Sequence, residues 1–296
     1  MRSPQGLHMG SRYVVVTPAR NEAEYIDQTI ESMLNQSIPP RLWVIVDDGS
    51  TDNTAAIVER MTEEVDWVQL VRRADRGRRS AGTGVMAAFS DGLDLMGDID
   101  WDFLVKLDAD LRFEPDYFEA CLTQFGSDAN LGIAGGKIYD VYPDRLVHDA
   151  HPAFHVRGAT KIYRRECWKD IGGLIEAPGW DTLDEVKANQ EGWSTRTLFD
   201  CPIYQLRPTG EAAGSWSNWS KNGAAAYRSG YHPAFVLARA ARRLVQPPSV
   251  TAPTALVWGY TQAWYSKIDR IDDPELLRYV KQQQWNRLTG RESMWR

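Results

Sequence analysis

Two pairs of aspartates in this 296-residue sequence each follow a short apolar segment, and they are its most concentrated chemical groups. Asp47 and Asp48 precede a glycine, whereas Asp108 and Asp110 flank an alanine. A carboxylate at the end of a strand can accept hydrogen bonds from a nucleobase or a ribose. Two carboxylates two residues apart can hold a hard divalent cation that also bridges a diphosphate. A helix cap or a solvated turn is the alternative explanation for either pair.

Two further polar segments occupy comparable positions. One follows the first apolar run and consists of Pro18, Ala19, Arg20, Asn21 and Glu22. The other, residues 72–79, contains five arginines, and Arg76 and Arg79 are our candidates within it. Guanidinium groups bind phosphate through paired hydrogen bonds, so this segment suits a diphosphate. A turn before a helix and a solvated basic loop are the alternative explanations.

An alternation of strand and helix patterns positions these segments. The patterns predict strands at 13–17, 42–46, 67–71 and 102–107, and helices at 22–35, 51–61 and 80–95. Such βαβ units imply a mainly parallel sheet with helices on both faces. In sheets of this kind ligands bind beyond the carboxyl ends of the strands, so we expect the four polar segments at one edge.

The second half of the chain has a less regular pattern. It predicts a strand at 131–139, a loop at 148–160, helices at 164–171 and 181–191, and short strands at 196–199 and 203–206. From residue 216 the pattern is helical, with breaks at Pro233 and at 247–248. The chain therefore combines an α/β unit with a helical tail.

Taken together, the four polar segments resemble the family 2 glycosyltransferases, whose fold is GT-A. The resemblance is carried by residues 17–22, 46–54, 76–78 and 107–110, in the order and spacing of that family. It is dense from Tyr13 to about Phe125 and thinner to about Arg207. The resemblance implies a Rossmann-like α/β fold with a C-terminal helical extension.

The resemblance also divides the chain into units. Residues 1–11 show no periodicity, and we expect a tag or a disordered segment there. The GT-A catalytic domain would cover 12–210, with a nucleotide-binding half at 12–125 and an acceptor half at 126–210. The helical extension would cover 211–296.

For the reaction, the resemblance implies an inverting enzyme that moves one sugar from a nucleotide-diphospho-sugar to an acceptor hydroxyl in glycan, polysaccharide or glycolipid synthesis. We expect UDP as the nucleotide, because the family most often recognises uracil. Residues 18–22 would lie along the nucleotide. Asp47 and Asp48 would lie at its base, and Arg76 and Arg79 near the diphosphate.

The same resemblance implies a metal site. Asp108, with its neighbour Ala109, would contact the ribose or metal-bound water. Asp110 would ligate Mn²⁺ or Mg²⁺, with Asp108 as the second carboxylate. A cation at this position offsets the charge of the departing diphosphate.

The reaction needs a carboxylate base, which in this family belongs to a Glu-Asp pair about twelve residues before a Gly-Trp. The spacing to Gly192-Trp193 makes Asp181 the candidate here, although Trp180 stands where the family has Glu. The alignment could shift by one turn, so Asp184 and Glu185 are alternative catalytic candidates. These carboxylates would also stabilise a helix N-terminus without any catalytic role.

The acceptor is expected to bind near the loop at 148–160. Gly158 matches the small-residue strand that supports the sugar in the family. The acceptor candidates are His151, His155, Arg157 and Trp180. The spacing of the histidines would suit a metal site on a helix, but an intervening proline disfavours a helix and favours a pocket wall or a simple loop.

Composition limits the classes of protein. A formal net charge of −6 and a pI of about 5.5 argue against a general nucleic-acid binder. No apolar run reaches the roughly 18 residues of a membrane span, and we expect no secretory leader. Three cysteines without metal-ligand spacing predict reduced thiols and a cytoplasmic protein.

The tail is rich in tryptophan and, at 239–243, in arginine. An amphipathic helix of this kind can lie at a membrane interface, which would place the protein peripherally at the inner face of the membrane and fit a lipid-linked acceptor. We favour packing on the catalytic domain or, in a homodimer, on a second copy. The Gln-x-x-Arg-Trp motif of processive synthases does not occur, which predicts single-sugar addition.

Two other functions fit parts of the pattern. A sugar-1-phosphate nucleotidyltransferase has a similar sheet, but it carries a glycine-rich loop where this chain has residues 18–22. A non-catalytic scaffold that binds nucleotide-sugars is suggested by the departure at Trp180.

Overall fold

The computed structural model describes residues 12–75, 83–148, 151–175, 177, 179–207, 214–245 and 250–295. The predicted tag or disordered segment at 1–11 and the candidates Arg76 and Arg79 lie outside the described part of the chain. So does 247–248, where the sequence predicts a break in the helical tail.

The first half of the chain forms four parallel strands joined by helices. The strands are β1 (Tyr13–Ala19), β2 (Leu42–Asp47), β3 (Val68–Arg72) and β4 (Phe103–Leu107), and the helices are α1 (Ile26–Leu34), α2 (Thr54–Thr62) and α3 (Thr83–Asp94). The strand order is β3-β2-β1-β4, which brings all four carboxyl ends to one edge. The predicted βαβ arrangement is confirmed here.

The second half changes the sheet from parallel to mixed. Its elements are β5 (Leu111–Phe113), α4 (Tyr117–Ser127), β6 (Leu131–Val141), β7 (Leu146–Val147), β8 (Thr160–Arg164), α5 (Arg165–Ile171), α6 (Trp180–Gln190) and β9 (Ser194–Gln205). Strand β8 runs antiparallel to β4 and β6, and β5 runs antiparallel to β9, whereas β6 and β9 are parallel. The expected parallel arrangement therefore holds for β1–β4, and the strands beyond β4 form a mixed extension.

Strand β9 replaces the two short strands predicted at 196–199 and 203–206. Leu198 pairs with Gly136 on β6, and Pro202 pairs with the next residue, Lys137, so the β9 residues between them bulge out of the ladder. Pro202 has no backbone NH to donate to the neighbouring strand, and a bulge leaves residues unpaired. The segment between Leu198 and Pro202 therefore has the sequence pattern of a strand end. The prediction of two strands is wrong, because the chain stays in the sheet across the bulge.

Both faces of the sheet are buried, because strand residues alternate between two cores. Val15 and Val105 belong to the core shared with α1 and α4, whereas Val14 and Val16 belong to the core shared with α3 and α5. Continuous apolar runs are typical of parallel strands that are covered on both faces. The polar segments at the carboxyl edge therefore rest on a support that is packed from two sides.

Four helices of the described tail follow β9 and pack against α6. They are α7 (Ser215–Arg228), α8 (Pro233–Arg243), α9 (Thr251–Tyr265) and α10 (Pro274–Leu288). A third core joins Leu183 and Val186 of α6 to Tyr231, Leu276 and Val280 of the tail. No helix in the described ranges is long and apolar enough to cross a membrane.

Helices α8 and α10 begin at prolines. Proline suits the first helical position because it has no backbone NH, and an NH there would have no partner within the helix. The ring of His232 and the carboxylate of Asp273 each accept a hydrogen bond from a backbone NH in the first turn. The break predicted at Pro233 is therefore the start of a new helix.

Helices α7 and α9 cross in direct backbone contact. A Cβ added to Gly223 would lie 2.1 Å from the Leu256 carbonyl oxygen, and one added to Gly259 would lie 1.9 Å from the Ser220 carbonyl oxygen. Neither glycine has a left-handed φ, so lack of space requires glycine at these positions.

We expect Gly259→Ala to lower the free energy of unfolding by about 1–3 kcal/mol, because the new methyl group clashes with backbone of α7. Alanine in an unobstructed helix would instead add about 1 kcal/mol of stability relative to glycine. Gln262→Ala, at an exposed position of the same helix, is the control and should change stability by less than about 0.5 kcal/mol. Urea denaturation measures both, and a stabilised Gly259→Ala would contradict the close crossing.

Candidate active site

The loops after β1 and β2 interlock at the carboxyl edge of the sheet. The Asn21 NH donates to the Ser50 hydroxyl at 2.9 Å, and the Asn21 side-chain oxygen accepts from the Thr51 NH at 2.8 Å. The Glu22 NH donates to the Thr54 hydroxyl at 2.8 Å. Asn21 has a left-handed φ of 54°, which asparagine tolerates better than most residues. These residues, predicted to lie along a nucleotide, form one preorganised wall.

The remaining residues of this wall are held by the strands. Residues 18 and 19 are the last two of β1, and Asp47 is the last of β2. The Asp47 carboxylate accepts from the Ser50 NH at 2.9 Å and so closes the turn after β2. Gly49 in this turn has a φ of 71°, and a Cβ there would lie 2.5 Å from the Cα of Asp75. Only glycine fits this turn.

Asp48 is buried at the edge, and its carboxylate has a fixed orientation. The Arg73 guanidinium donates to Asp48 at 2.8 Å and to Asp91 at 2.7 Å. Arg20 binds the backbone oxygen of Asp48 and pairs with Asp75 at 2.7 Å. Arg73 was not among the sequence candidates, although it lies in the arginine-rich segment 72–79, and that segment was the available signal.

Negative charge accumulates around Asp110. This carboxyl is buried, and burial together with the charges of Asp108 and Glu22 raises its pKa to about 7. Arg207 donates to Glu22 at 2.8 Å and lowers the pKa of Asp110 in part. Arg207 follows β9 and carried no motif that would have identified it. The three carboxylates make the surroundings of Asp110 negative, and a nearby positive charge would stabilise them.

The carboxylates fit a divalent cation that binds together with a diphosphate. Across the described residues, no three His, Cys, Asp or Glu side chains could hold a metal ion by themselves. Sites of this kind need only one or two protein carboxylates, because phosphate oxygens and water complete the coordination. Asp108 and Asp110 can supply these, whereas Ala109 between them is buried and its carbonyl accepts from the Thr29 hydroxyl at 2.8 Å.

Two buried lysines join the carboxyl edge of the sheet to the predicted acceptor region. Lys106 on β4 and Lys161 on β8 are register partners, and they lie 5.6 and 5.5 Å from the centre of the Trp180 ring. Like charges directly opposite each other repel, so each lysine needs its own carboxylate. Lys106 pairs with Asp108 and donates to the Gly158 carbonyl at 2.6 Å. Sequence reasoning missed both lysines, because their contact joins strands that are distant in the chain.

Asp184 and Glu185, the alternative base candidates, neutralise Lys161. Each lies 2.8 Å from the lysine nitrogen, and the Tyr163 hydroxyl donates to Asp184 at 2.6 Å. Glu185 also accepts a hydrogen bond from the His155 ring at 3.0 Å. Burial raises the pKa of Asp184 to about 6. Burial also acts to raise the pKa of Glu185, but the positive charges of Lys161 and His155 outweigh it, and the pKa is lowered. Both carboxylates are enclosed in an ion network that docks α6 on β8.

Asp181 lies one turn before this network and is partly exposed. It lines a cavity of about 820 Å³ between the acceptor loop and the tail helices, together with His151 and His155. A Cβ added to Gly158 would come within 3.3 Å of the Asp181 Cβ and 3.0 Å of the Trp180 ring, so glycine allows a close approach here. Among the three candidate carboxylates, Asp181 is the one that a ligand in this cavity can reach.

Of the other acceptor candidates, His151 and His155 line the cavity, whereas Arg157 contacts strand β9. The rings of His148, His151 and His155 pack edge to face in series, with centroid distances of 5.5 and 5.2 Å. Burial lowers the pKa of His151, which suits a neutral wall residue. Arg157 instead donates to the Gln205 side chain at 2.8 Å and is not among the residues that line the cavity.

A comparison with protein families identifies the group to which the sequence belongs. The model of the family described as "Glycosyl transferase family 2" matches residues 14–177, which is more than half of the chain. The chain belongs to glycosyl transferase family 2. The resemblance stated from the motifs is therefore confirmed, and the matched region contains the loops after β1, β2 and β4 and the whole of the loop at 148–160.

Curated relatives of this family 2 chain are larger proteins. It is 30% identical over 130 residues to a chondroitin synthase of Pasteurella multocida, a match that covers 44% of this chain and 12% of the relative. It is 32% identical over 178 residues to a chondroitin synthase of Escherichia coli, covering 55% of this chain and 24% of the relative. The chain therefore spans about an eighth to a quarter of the length of these relatives.

Solved structures confirm the GT-A fold with C-terminal helices. A mannosyltransferase from Pyrobaculum calidifontis, in complex with GDP-Man and Mn²⁺, matches with a TM-score of 0.56 and 17% identity over 99% of this chain and 80% of that one. A fragment of S. aureus TarS in complex with UDP-GlcNAc matches with a TM-score of 0.53 and 19% identity over 94% and 80%. At this identity the likeness establishes the fold alone.

We expect Lys161→Met to lower the free energy of unfolding near neutral pH by about 3–5 kcal/mol, because two buried carboxylates lose their cation. The loss should become smaller near pH 5, because the carboxyl groups then take up protons and lose their charge. Urea denaturation at both pH values measures this.

Lys187→Met is the matched control on the same helix. Lys187 lies 3.9 Å from Asp273 in a partly exposed pair, which contributes about 0–1 kcal/mol. Equal losses for the two variants would contradict the role of Lys161 in docking α6.

Proposed function

We propose that this chain is an inverting glycosyltransferase that moves one sugar from a nucleotide-diphospho-sugar to an acceptor hydroxyl. The observation that carries the proposal is the position of Asp181, partly exposed in the cavity while Asp184 and Glu185 are fully enclosed. The contacts of Trp180 with Lys106 connect this carboxylate to the donor edge.

The donor is proposed to lie along the wall formed by the loops after β1 and β2, with UDP as the nucleotide. Asp48, oriented by Arg73, would accept hydrogen bonds from the base. Asn21 and Glu22 would flank the nucleoside, since their loop is fixed against the loop after β2. The solved relatives that contain UDP-GlcNAc and GDP-Man support a nucleotide-sugar as the donor.

Asp110 and Asp108 are proposed to hold Mn²⁺ or Mg²⁺. When bound, such a cation neutralises charge on the leaving nucleoside diphosphate. Lys106 orients Asp108 through their ion pair, and Arg207 neutralises Glu22 beside the site. The neighbour solved with Mn²⁺ supports this assignment.

Asp181 is proposed to act as the general base. Its carboxylate would take the proton of the acceptor hydroxyl while the oxygen forms a bond to the anomeric carbon of the donor. The bond between the anomeric carbon and the phosphate oxygen breaks in the same step, and the nucleoside diphosphate leaves with the electron pair. Attack from the face opposite the leaving group inverts the anomeric centre.

The acceptor is proposed to be a glycan or a lipid-linked sugar in polysaccharide or glycolipid synthesis. The names of the two chondroitin synthases support polysaccharide synthesis. Exposed aromatic side chains of α9, including Trp258, Trp264 and Tyr265, support a contact of the tail with a membrane surface or a second copy. A cytoplasmic enzyme that acts at the inner face of the membrane remains our prediction.

We expect Asp181→Asn to reduce kcat for sugar transfer by about 10²- to 10⁴-fold, because the amide cannot accept the proton. Donor affinity should stay unchanged, since Asp181 lies on the acceptor side. Nucleotide release from a panel of UDP-sugars with mixed acceptors measures the first quantity, and calorimetry with UDP measures the second.

Thr182→Ala, a neighbour that also lines the cavity, serves as the control and should retain most of the activity. Unchanged transfer by Asp181→Asn would exclude Asp181 as the base. Active wild-type protein is required, so an inactive wild type that still binds UDP would favour the scaffold interpretation.

We expect Asp110→Ala to abolish the increase in UDP affinity that Mn²⁺ produces, because the variant lacks the buried carboxylate that holds the cation. Calorimetric titration of UDP with and without Mn²⁺ measures the effect. Asp116→Ala, at an exposed carboxylate before α4, is the control. A variant whose UDP affinity still rises with Mn²⁺ would show that the metal binds elsewhere.

A further inference from the structure

Four arginines of the tail helices line the cavity that contains Asp181. Arg239, Arg242 and Arg243 belong to α8, and Arg287 belongs to α10. The three residues of α8 are three and four positions apart, so they share one face of that helix. The tail therefore presents a row of guanidinium groups to the acceptor side of the site.

Carboxylates of the described residues do not balance the charge of this wall. Within the described ranges, none of the four arginines forms an ion pair, and Asp181 is the one carboxylate that lines the cavity. The chain as a whole has a formal net charge of −6, so the concentration of positive charge is opposite in sign to the rest of the molecule. Clustered guanidinium groups repel one another, and an anion bound between them would relieve the repulsion.

Aromatic rings fix the position of two of these arginines. The Arg243 guanidinium lies 4.5 Å from the centre of the Trp219 ring, and the Arg239 guanidinium lies 5.7 Å from that of Tyr231. Cation–π contacts of this kind leave the edge of the guanidinium free to donate. Trp295 packs edge to face against Tyr231 at 6.1 Å, and both rings border the cavity, so the wall combines charged and aromatic groups.

We propose that this cavity binds an acceptor glycan that carries an anionic group, a carboxylate or a phosphate, close to the reacting sugar. Guanidinium forks bind both groups through paired hydrogen bonds. A cavity of about 820 Å³ is large enough for a short oligosaccharide. The inference rests on the proposed function in one respect, namely that Asp181 marks the reacting end of the acceptor.

A contact with an anionic membrane would use arginines differently. Arg239 and Arg242 are exposed, as are Leu237 and Leu244 at the same helix, so α8 also has the basic and apolar groups that a membrane contact uses. These arginines nevertheless line a concave space together with the base candidate, and a flat membrane surface does not fill such a space. The exposed Trp258 and Trp264 of α9 do not line the cavity. The observations therefore favour an anionic sugar as the ligand of this wall.

The test compares three disaccharides with the same carbon skeleton: cellobiose, which is neutral, cellobiouronic acid, which carries a carboxylate, and cellobiose 1-phosphate, which carries a phosphate. Calorimetry with the full chain, in the presence of UDP and Mn²⁺, should show one or both anionic sugars binding at least about tenfold more tightly than cellobiose, because a hydrogen bond to a charged group is worth that much. The tighter of the two anions identifies the charged group.

The variant Arg242→Gln/Arg243→Gln should lower the affinity for the anionic sugar about tenfold or more, to that of cellobiose. Arg270→Gln is the matched control, because Arg270 is exposed and stacks on Tyr227 at 4.6 Å but does not line the cavity. Circular dichroism confirms folding, and if the double variant does not fold, Arg287→Gln on α10 tests the same wall.

Equal affinities for charged and neutral sugars, or full anion affinity in the cavity variants, would overturn the inference. So would an effect of the arginine variants on binding to phosphatidylglycerol vesicles alone. UDP affinity is measured in a separate calorimetric titration of the same protein with Mn²⁺, and the sugar titrations are repeated without UDP. Selective anion binding by a chain that does not bind UDP would support the anion site and reject the proposed glycosyltransferase function. UDP binding without anion selectivity would support the proposed function and reject the anion site.

Discussion

The site depends on one electrostatic constraint, the placement of two buried lysine charges side by side where β4 meets β8. Lys106 and Lys161 face the same side of the sheet and pack on one tryptophan ring. Their repulsion is tolerable only because Asp108 neutralises one and the Asp184–Glu185 pair neutralises the other. This requirement fixes both the orientation of the Asp108 carboxylate and the position of helix α6.

The same arrangement explains why three acidic residues of one helix have different environments. Asp184 and Glu185 face Lys161 and form ion pairs with it. Glu185 also holds the acceptor loop through its hydrogen bond with His155. Asp181, one turn earlier, faces the cavity. Trp180, which departs from the family pattern, is the ring on which both lysines pack. Trp180 therefore has a structural role where the family has Glu, and Asp181, the accessible carboxylate, is the next residue.

The sequence predicts the first half of the fold well, because local patterns determine it. Apolar runs and turn motifs locate β1–β4 and the polar loops that follow them. What it does not predict depends on contacts between distant segments. The pairing of Lys106 with Lys161, the ion pair of Arg207 with Glu22 and the bulge of β9 against β6 leave no periodic signal. The arginines at 239–243 are visible in the sequence, but their cavity is not.

The close crossing of α7 and α9 has a consequence for how proteins of this kind diverge. Backbones in contact at Gly223 and Gly259 allow little sliding, so α7 and α9 keep one fixed crossing within the tail. The proposed donor contacts come from residues before position 111, whereas the tail helices supply the far wall of the cavity. On the proposed function, exchange of the tail helices would change which molecule receives the sugar and would leave the nucleotide chemistry unaltered. Similarity confined to the first half of two such chains would then indicate a shared donor chemistry, whereas the last eighty residues would determine the acceptor.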